Sequence, residues 1–147
     1  NVCVIVLDNR TIAMTGNQPT PGSGKTAMGD DSKIVKIEAI AKSLGIEKVT
    51  LVDPYDIKRT TEVIREHVVY QGPSVIISER PCPLKIDKGA TRKVQEKCNS
   101  CGVCVKAFGC PAISLGLERA EIDETLCSGC GVCENVCPFD AIGSDQK

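Results

Sequence analysis

Residues 98–111, CNSCGVCVKAFGCP, and residues 127–138, CSGCGVCENVCP, decide how this chain is read. Cys98, Cys101 and Cys104 stand at C-x-x-C-x-x-C spacing in the first stretch, as do Cys127, Cys130 and Cys133 in the second. Each stretch ends on a Cys-Pro pair, Cys110-Pro111 and Cys137-Pro138, reached after five residues in the first copy and three in the second. Three thiolates on a tight loop, with a fourth before proline, are the ligands a [4Fe–4S] cube needs. Zinc sites draw four ligands from C-x-x-C pairs or histidines, and the one histidine, His67, lies far away in sequence. A disulfide framework fits poorly, because eight of ten cysteines are confined to residues 98–137 and only Cys3 and Cys82 lie elsewhere.

The two stretches belong to an internal repeat. Residues 98–113 and 127–142 are each 16 residues long; SCGVC at 100–104 matches GCGVC at 129–133, and Ala112-Ile113 matches Ala141-Ile142. In two-cluster ferredoxins the fourth cysteine of one run ligates the other cube. On that rule Cys98, Cys101, Cys104 and Cys137 hold one cluster, and Cys127, Cys130, Cys133 and Cys110 hold the second. Gly102, Gly129 and Gly131 allow close backbone approach, so that amide N–H groups can point at sulfur. Pro111 and Pro138 turn the chain away after the ligand and remove one donor. The longer first spacing is expected to bulge the helix or loop around the second cluster and to shift its potential. Residues 114–117 and 121–122 predict a short hairpin between the copies.

Working outward, residues 1–86 alternate strand and helix signals. Residues 2–7, VCVIVL, read as a buried parallel strand ending at Asp8. Residues 9–31 lack periodicity and form a long loop, a length that in compact domains usually carries function. Ile34, Ile37, Ala41 and Leu44 have helical spacing, with Gly45 as the stop. Residues 49–52 are a second strand. Residues 57–69 are a second helix whose apolar side is Ile57, Val63, Ile64 and Val68. Residues 75–77 are a third strand after Gly72-Pro73. That order argues for a parallel sheet. Residues 79–97, polar, lysine-rich and punctuated by proline, read as a linker. The expected fold class is therefore α/β over residues 1–86, followed over residues 87–147 by the linker and a small two-cluster α+β domain. The 147-residue chain is 41% hydrophobic with net charge −1. Such a balance shows no footprint for nucleic acid or an anionic membrane, and no apolar run approaches the roughly 20 residues of a membrane span. Thiolate ligands and reduced clusters imply a reducing cytoplasm. A strand-like run directly after Asn1 is expected of the C-terminal portion of a longer polypeptide.

The loop after the first strand, Asp8-Asn9-Arg10-Thr11-Ile12-Ala13-Met14-Thr15-Gly16-Asn17-Gln18-Pro19, resembles the second half of the metal–diphosphate motif of thiamine diphosphate enzymes. Joined to Asp53-Pro54-Tyr55-Asp56, the strand at 73–77, Arg80-Pro81-Cys82 and the two cysteine runs, it is similar to the alpha subunit of indolepyruvate:ferredoxin oxidoreductases over essentially the whole chain. The resemblance implies a partial thiamine diphosphate-binding domain over residues 1–86 and a bacterial-type two-[4Fe–4S] ferredoxin domain. It implies oxidative decarboxylation of 2-oxo acids with aromatic side chains, with coenzyme A as co-substrate, a ferredoxin as electron acceptor and a beta subunit as partner. It also implies that Asn9 gives a side-chain oxygen and Thr11 a main-chain carbonyl to Mg²⁺, with Met14, Thr15 and Gly16 near the diphosphate and thiazolium. Met14 stands where related pyruvate enzymes carry an amide, which favours the indolepyruvate branch. The first half of the metal motif would precede Asn1, so this chain alone is expected to hold thiamine diphosphate poorly or not at all. No side-chain nucleophile is read from the sequence.

Other features have plainer readings. Gly22-Ser23-Gly24-Lys25-Thr26 is similar to a phosphate loop but has Pro19 where that pattern needs glycine; a flexible loop over the active-site mouth is expected instead. Cys3 reads as a buried small hydrophobe, Cys82 as a structural thiol, and His67 as a surface or helix-end residue. The lysine-rich stretch 85–97 reads as a solvated face, with docking of an acidic ferredoxin as the alternative. Two rival functions stay open: a stand-alone two-cluster electron carrier, and a related pyruvate or 2-oxoisovalerate enzyme.

Overall fold

The computed structural model describes residues 1–83 and 85–144. Leu84, inside the expected linker, and the last three residues of the expected second domain lie outside the described residues. The chain divides into two compact units, Asn1–Ile86 and Asp87–Lys147.

The first unit is built on strand β1 (Val2–Asp8), helix α1 (Ile37–Ser43), strand β2 (Lys48–Val52), helix α2 (Ile57–Val68) and strand β3 (Pro73–Glu79). All strand pairs are parallel and the order is β1-β3-β2, with Val4 and Val49 both opposite Val75. β3 is central, and its run Ser74 to Ser78 is buried throughout, as expected of a strand covered on both faces. Alternate side chains of β3 go to opposite layers. Val75 and Ile77 pack with Ala41 and Ile37 of α1, while Ile76 packs with Val63 and Ile64 of α2. Each helix thus covers one face of the strand between them. α2 begins where the Asp56 carboxylate accepts the Arg59 N–H at 2.9 Å, a side-chain cap worth about 1 kcal/mol.

Three expectations for this unit need correction. β1 is parallel, as expected, but it is an edge strand and not buried: Val2 is 58% and Leu7 81% exposed. Its apolar run matches a covered strand, yet among the described residues nothing pairs with its outer edge. α1 starts at Ile37, so Ile34 lies outside the helix. On α2, Val68 is exposed and His67 is buried. The ring Nε2 of His67 lies 2.9 Å from Thr50 Oγ1 on β2, and that polar contact turns His67 rather than Val68 toward the sheet.

The second unit contains strand β4 (Lys93–Val94), helix α3 (Val103–Lys106), strands β5 (Ile113–Leu115) and β6 (Ala120–Ile122), helix α4 (Val132–Val136) and strand β7 (Ile142–Gly143). β5 and β6 form the expected antiparallel hairpin, Ser114 opposite Glu121. β4 pairs antiparallel with β7, Val94 opposite Ile142. The end of the stretch read as a linker is therefore a strand of this unit. The repeat is visible in burial: Cys104 and Cys133, Ala112 and Ala141, and Ile113 and Ile142 are all buried at matching positions. Cysteines are half of the story here, since Cys104 and Cys133 sit in the core and Cys98, Cys110 and Cys137 pack against it.

Candidate metal centres

Each cysteine triplet runs into the N-terminus of a short helix, and the backbone before that helix is left-handed. In the first copy Ser100 has φ 57° and Gly102 φ 76°; in the second Gly129 has φ 73° and Gly131 φ 78°. Left-handed backbone is cheap for glycine and strained for serine. Serine is nonetheless admitted at position 100. At position 129 it would not be, because a Cβ there would run into the backbone of Gly89. The Gly89 N–H donates to Ser128 O at 3.2 Å, so the segment before the repeat lies directly on the second loop.

The cysteines separate into two groups of four. One cavity is lined by Cys98, Cys101, Cys104 and Cys137. The other is lined by Cys110, Cys127, Cys130 and Cys133. This grouping is the one the two-cluster ferredoxin rule gives. None of the ten cysteines is paired in a disulfide. Among the described residues no three Cys, His, Asp or Glu side chains could hold one metal ion together; a cube instead needs its thiolates set apart around it, one at each iron. Burial raises the Cys133 thiol to about 11, with Cys130, Cys110 and Cys127 adding to the rise. Burial also raises Cys104, with Cys101, Cys137 and Cys98 contributing. Each buried thiol therefore feels the other three of its own group. A bare thiol of this kind stays protonated near neutrality, and iron must displace the proton to bind. The Ala141 N–H donates to Cys137 Sγ at 3.3 Å, the kind of amide–sulfur bond that tunes a cluster. The donor set and its grouping fit two cubes.

The unequal spacing has a local explanation. α4 leads directly into Cys137, which caps it. α3 is followed by Ala107, Phe108 and Gly109 before Cys110 is reached. Gly109 has φ 66°, which turns the chain back, and Phe108 joins the core and lines the second cavity. The extra residues thus lie in the loop after α3, where they make a turn over the second site, and not within the helix.

In the first unit, the resembling loop leaves the carboxyl end of β1, the edge at which open parallel sheets bind ligands. Asn9 Oδ1 accepts the Thr11 N–H at 3.1 Å. Thr11 is buried and its hydroxyl donates to Gln18 O at 3.1 Å. Thr15 Oγ1 donates to Gln18 Oε1 at 2.8 Å, the Gly16 N–H reaches Ala13 O at 3.3 Å, and Met14 is 97% exposed. The loop is thus a compact turn closed by Gln18. Beside it a cavity of about 360 Å³ is lined by Asp8, Arg10, Lys36, Ile77 and Glu79 among others. None of Asn9, Thr11, Met14, Thr15 or Gly16 lines it. Arg10 pairs with Glu79 and lies 3.7 Å from Asp8, and the Glu79 hydrogen bond raises the Arg10 guanidinium still further. Arg80, just past β3, binds Asp53 at 2.5 Å and stacks 3.8 Å from the Tyr55 ring, which ties the ends of β2 and β3 together. Residues 21–24 are turns, followed by a bridge between Lys25 and Asp31 whose side chains pair at 2.5 Å. No helix starts there, so the phosphate-loop likeness has no structural support. Cys3 is half-buried against Val52, Val63 and Ile76, and Cys82 is buried.

A parallel α/β domain whose first strand opens into this loop, joined to a repeat with two four-cysteine sets, defines a class: a thiamine-type domain carrying an iron–sulfur module. The comparisons with known proteins agree. Residues 1–78 match the family "Thiamine pyrophosphate enzyme, C-terminal TPP binding domain", and the chain belongs to that family. Residues 95–113 and 120–143 each match a 4Fe-4S binding domain. The chain is similar to "Indolepyruvate oxidoreductase subunit IorA" of Thermococcus kodakarensis, 45% identical over 96% of this chain and 23% of that protein. It is also similar to the proteins of the same name from Archaeoglobus fulgidus, at 39% over 95% of this chain and 23% of that protein, and Methanothermobacter thermautotrophicus, at 40% over 98% and 24%. The chain thus spans about a quarter of the length of these relatives. The resemblance drawn from the loop and the cysteine runs is borne out, as is the expected fold class. Sequence reading missed Arg92, which lines the second cavity, and its partner Glu134; Arg92 lay in a stretch read as solvated linker, and nothing in the spacing marked it.

Proposed function

We propose that this chain is the C-terminal part of an iron–sulfur oxidoreductase subunit that oxidatively decarboxylates aryl 2-oxo acids such as indolepyruvate to acyl-CoA. Residues 1–86 are the C-terminal portion of its thiamine diphosphate-binding domain, and residues 87–147 are the electron-transfer domain. The observation that carries the reading is the division of eight cysteines into two crossed sets of four, in a chain whose other half belongs to a thiamine pyrophosphate family. Cys98, Cys101, Cys104 and Cys137 hold the first cluster. Cys127, Cys130, Cys133 and Cys110 hold the second. Asn9 and Thr11, two residues apart on one turn, offer hard oxygens of the type Mg²⁺ prefers, and Met14, Thr15 and Gly16 border the diphosphate.

Thiamine diphosphate, when bound, supplies the electron sink for decarboxylation. This chain's residues position the ion, keep the loop closed through Gln18, and hold thiolates for one-electron transfer. Electrons leave to a ferredoxin, coenzyme A is the acyl acceptor, a beta subunit completes the assembly, and the setting is the reducing cytoplasm. The similarity to indolepyruvate oxidoreductase subunits and Met14 in place of the amide of related pyruvate enzymes support the aryl substrate over pyruvate. Among the described residues no helix is long and apolar enough to cross a membrane.

The test uses the full-length polypeptide with its partner subunit. Ferredoxin reduction should depend on 2-oxo acid, coenzyme A and thiamine diphosphate, and should be faster with indolepyruvate and phenylpyruvate than with pyruvate. A faster rate with pyruvate would overturn the substrate assignment. Absence of bound thiamine diphosphate and of any 2-oxo-acid-dependent reduction would leave a stand-alone electron carrier.

A further inference from the structure

The two cysteine cavities differ in one charged group. The first is lined by uncharged residues and its four cysteines. The second has Arg92 in its wall. Arg92 is well placed to stay there: its side chain is only 18% exposed, its Nε donates to Glu134 Oε1, and its Nη1 donates to Ala90 O at 2.5 Å. A Cβ on Gly131 would come within 2.7 Å of Nη2, so glycine at that position makes room for the guanidinium. Glu134 follows Cys133 directly on α4. One cation therefore stands in the wall of the second cavity, paired with an anion that follows one of its cysteines on α4.

Reduction of a cube adds one electron and hence one negative charge. A fixed cation beside it favours the reduced form, and a fixed anion disfavours it; in a partly buried site such charges are screened far less than in water. Net charge near a cluster is a recognised control of its potential.

Resting on the assignment of the cysteines as cluster ligands, we propose that the Arg92–Glu134 pair is a positioning device that sets the potential of the second cluster and makes the two clusters inequivalent. Removal of Arg92 leaves Glu134 uncompensated and lowers the second potential. Removal of the Glu134 charge leaves Arg92 uncompensated and raises it. The first cluster responds to neither.

The test is an EPR-monitored redox titration of the 147-residue chain with its clusters installed, comparing Arg92→Gln and Glu134→Gln with the unaltered chain. The expected result is two midpoints, of which one shifts down in Arg92→Gln and up in Glu134→Gln while the other stays. About a tenfold change in the reduced-to-oxidised ratio at fixed potential, or about 59 mV for one electron, is expected in each direction. Shifts of the same sign in both variants, or no shift with full iron content, overturn the proposal, since a merely structural role would not give opposite signs. If Arg92→Gln fails to fold, Glu134→Gln decides alone: an upward shift supports the device and an unmoved midpoint refutes it. Iron well short of about eight per chain in the unaltered protein would overturn the ligand assignment itself, and this proposal with it.

Discussion

The two units solve the problem of a small core in different ways. The first packs Val63, Ile76, Ile77 and Val75 between two helices and a sheet, an aliphatic core that needs no cofactor to fill it. The second has roughly the size at which a hydrophobic core alone is marginal, and much of what stands at its centre is cysteine: Cys104 and Cys133 within, Cys98, Cys110 and Cys137 against them. Its strands are two or three residues long and its helices four and five. Such elements cannot stabilise themselves, because helix nucleation is costly and short helices are marginal in water. The lesson is that the cysteines proposed as ligands are also core, which would make cofactor binding and folding one equilibrium in the second unit.

The largest effect should come from iron removal. Chelation under reducing conditions is expected to unfold the second unit while the first keeps its structure, seen as loss of hydrogen-exchange protection over residues 93–143 with residues 48–79 still protected. Protection that survives chelation in the second unit would show that its core does not depend on metal. Next in size is the loss of a single ligand. Cys137→Ala should reduce iron from about eight to about four per chain and leave the same residual EPR signal as Cys98→Ala. Cys110→Ala should match Cys133→Ala instead. If Cys137→Ala resembled Cys133→Ala, its sequence neighbour, the sets would not be crossed. In the first unit, Ile76→Ala removes a fully buried side chain and should cost about 2–5 kcal/mol without changing iron content. A loss of iron in that variant would couple the two cores and break the contrast.

How much of this was legible in the sequence follows from what each signal depends on. The cysteine triplets were readable because thiolate spacing is a local property: three cysteines on one loop stay near one another whatever the rest of the chain does. β2, β3 and α2 were readable because short apolar runs and helical spacing act within a few residues. Burial was less readable. VCVIVL at residues 2–7 has the composition of a covered strand, but coverage is decided by what lies beside it, and β1 is at an edge. Val68 and His67 differ by one position on α2, and the choice between them was made by Thr50 on a different strand. Arg92 and Glu134 are 42 residues apart, and no periodicity links a lysine-rich stretch to a helix in the repeat. Long-range polar pairs of this kind have no sequence signature.

The smallest predicted effect belongs to His67. Burial lowers its pKa, and nearby Lys48 lowers it further, against a smaller opposing influence of Glu66. The ring touches Thr50 Oγ1 through Nε2, and Nδ1 is buried without a hydrogen-bond partner, so the folded state holds it neutral. In the unfolded chain it titrates near about 6.5. Below that value the unfolded chain binds a proton that the folded chain refuses, and stability of the first unit falls as pH falls from about 6.5 toward the lowered value; above about 6.5 the contribution is fully present. His67→Asn retains a polar partner for Thr50 and removes the titration, so its urea midpoint should vary less between about pH 5 and about pH 7 than that of the unaltered chain. Tyr55 and Tyr70 are the two tyrosines and there is no tryptophan, so tyrosine-selective excitation follows the first unit without interference from the two phenylalanines of the second. An identical pH slope in the two proteins would mean that the buried ring is not the group that makes the first unit acid-sensitive, and the contrast between a cofactor-dependent core and a pH-dependent one would lose its second half.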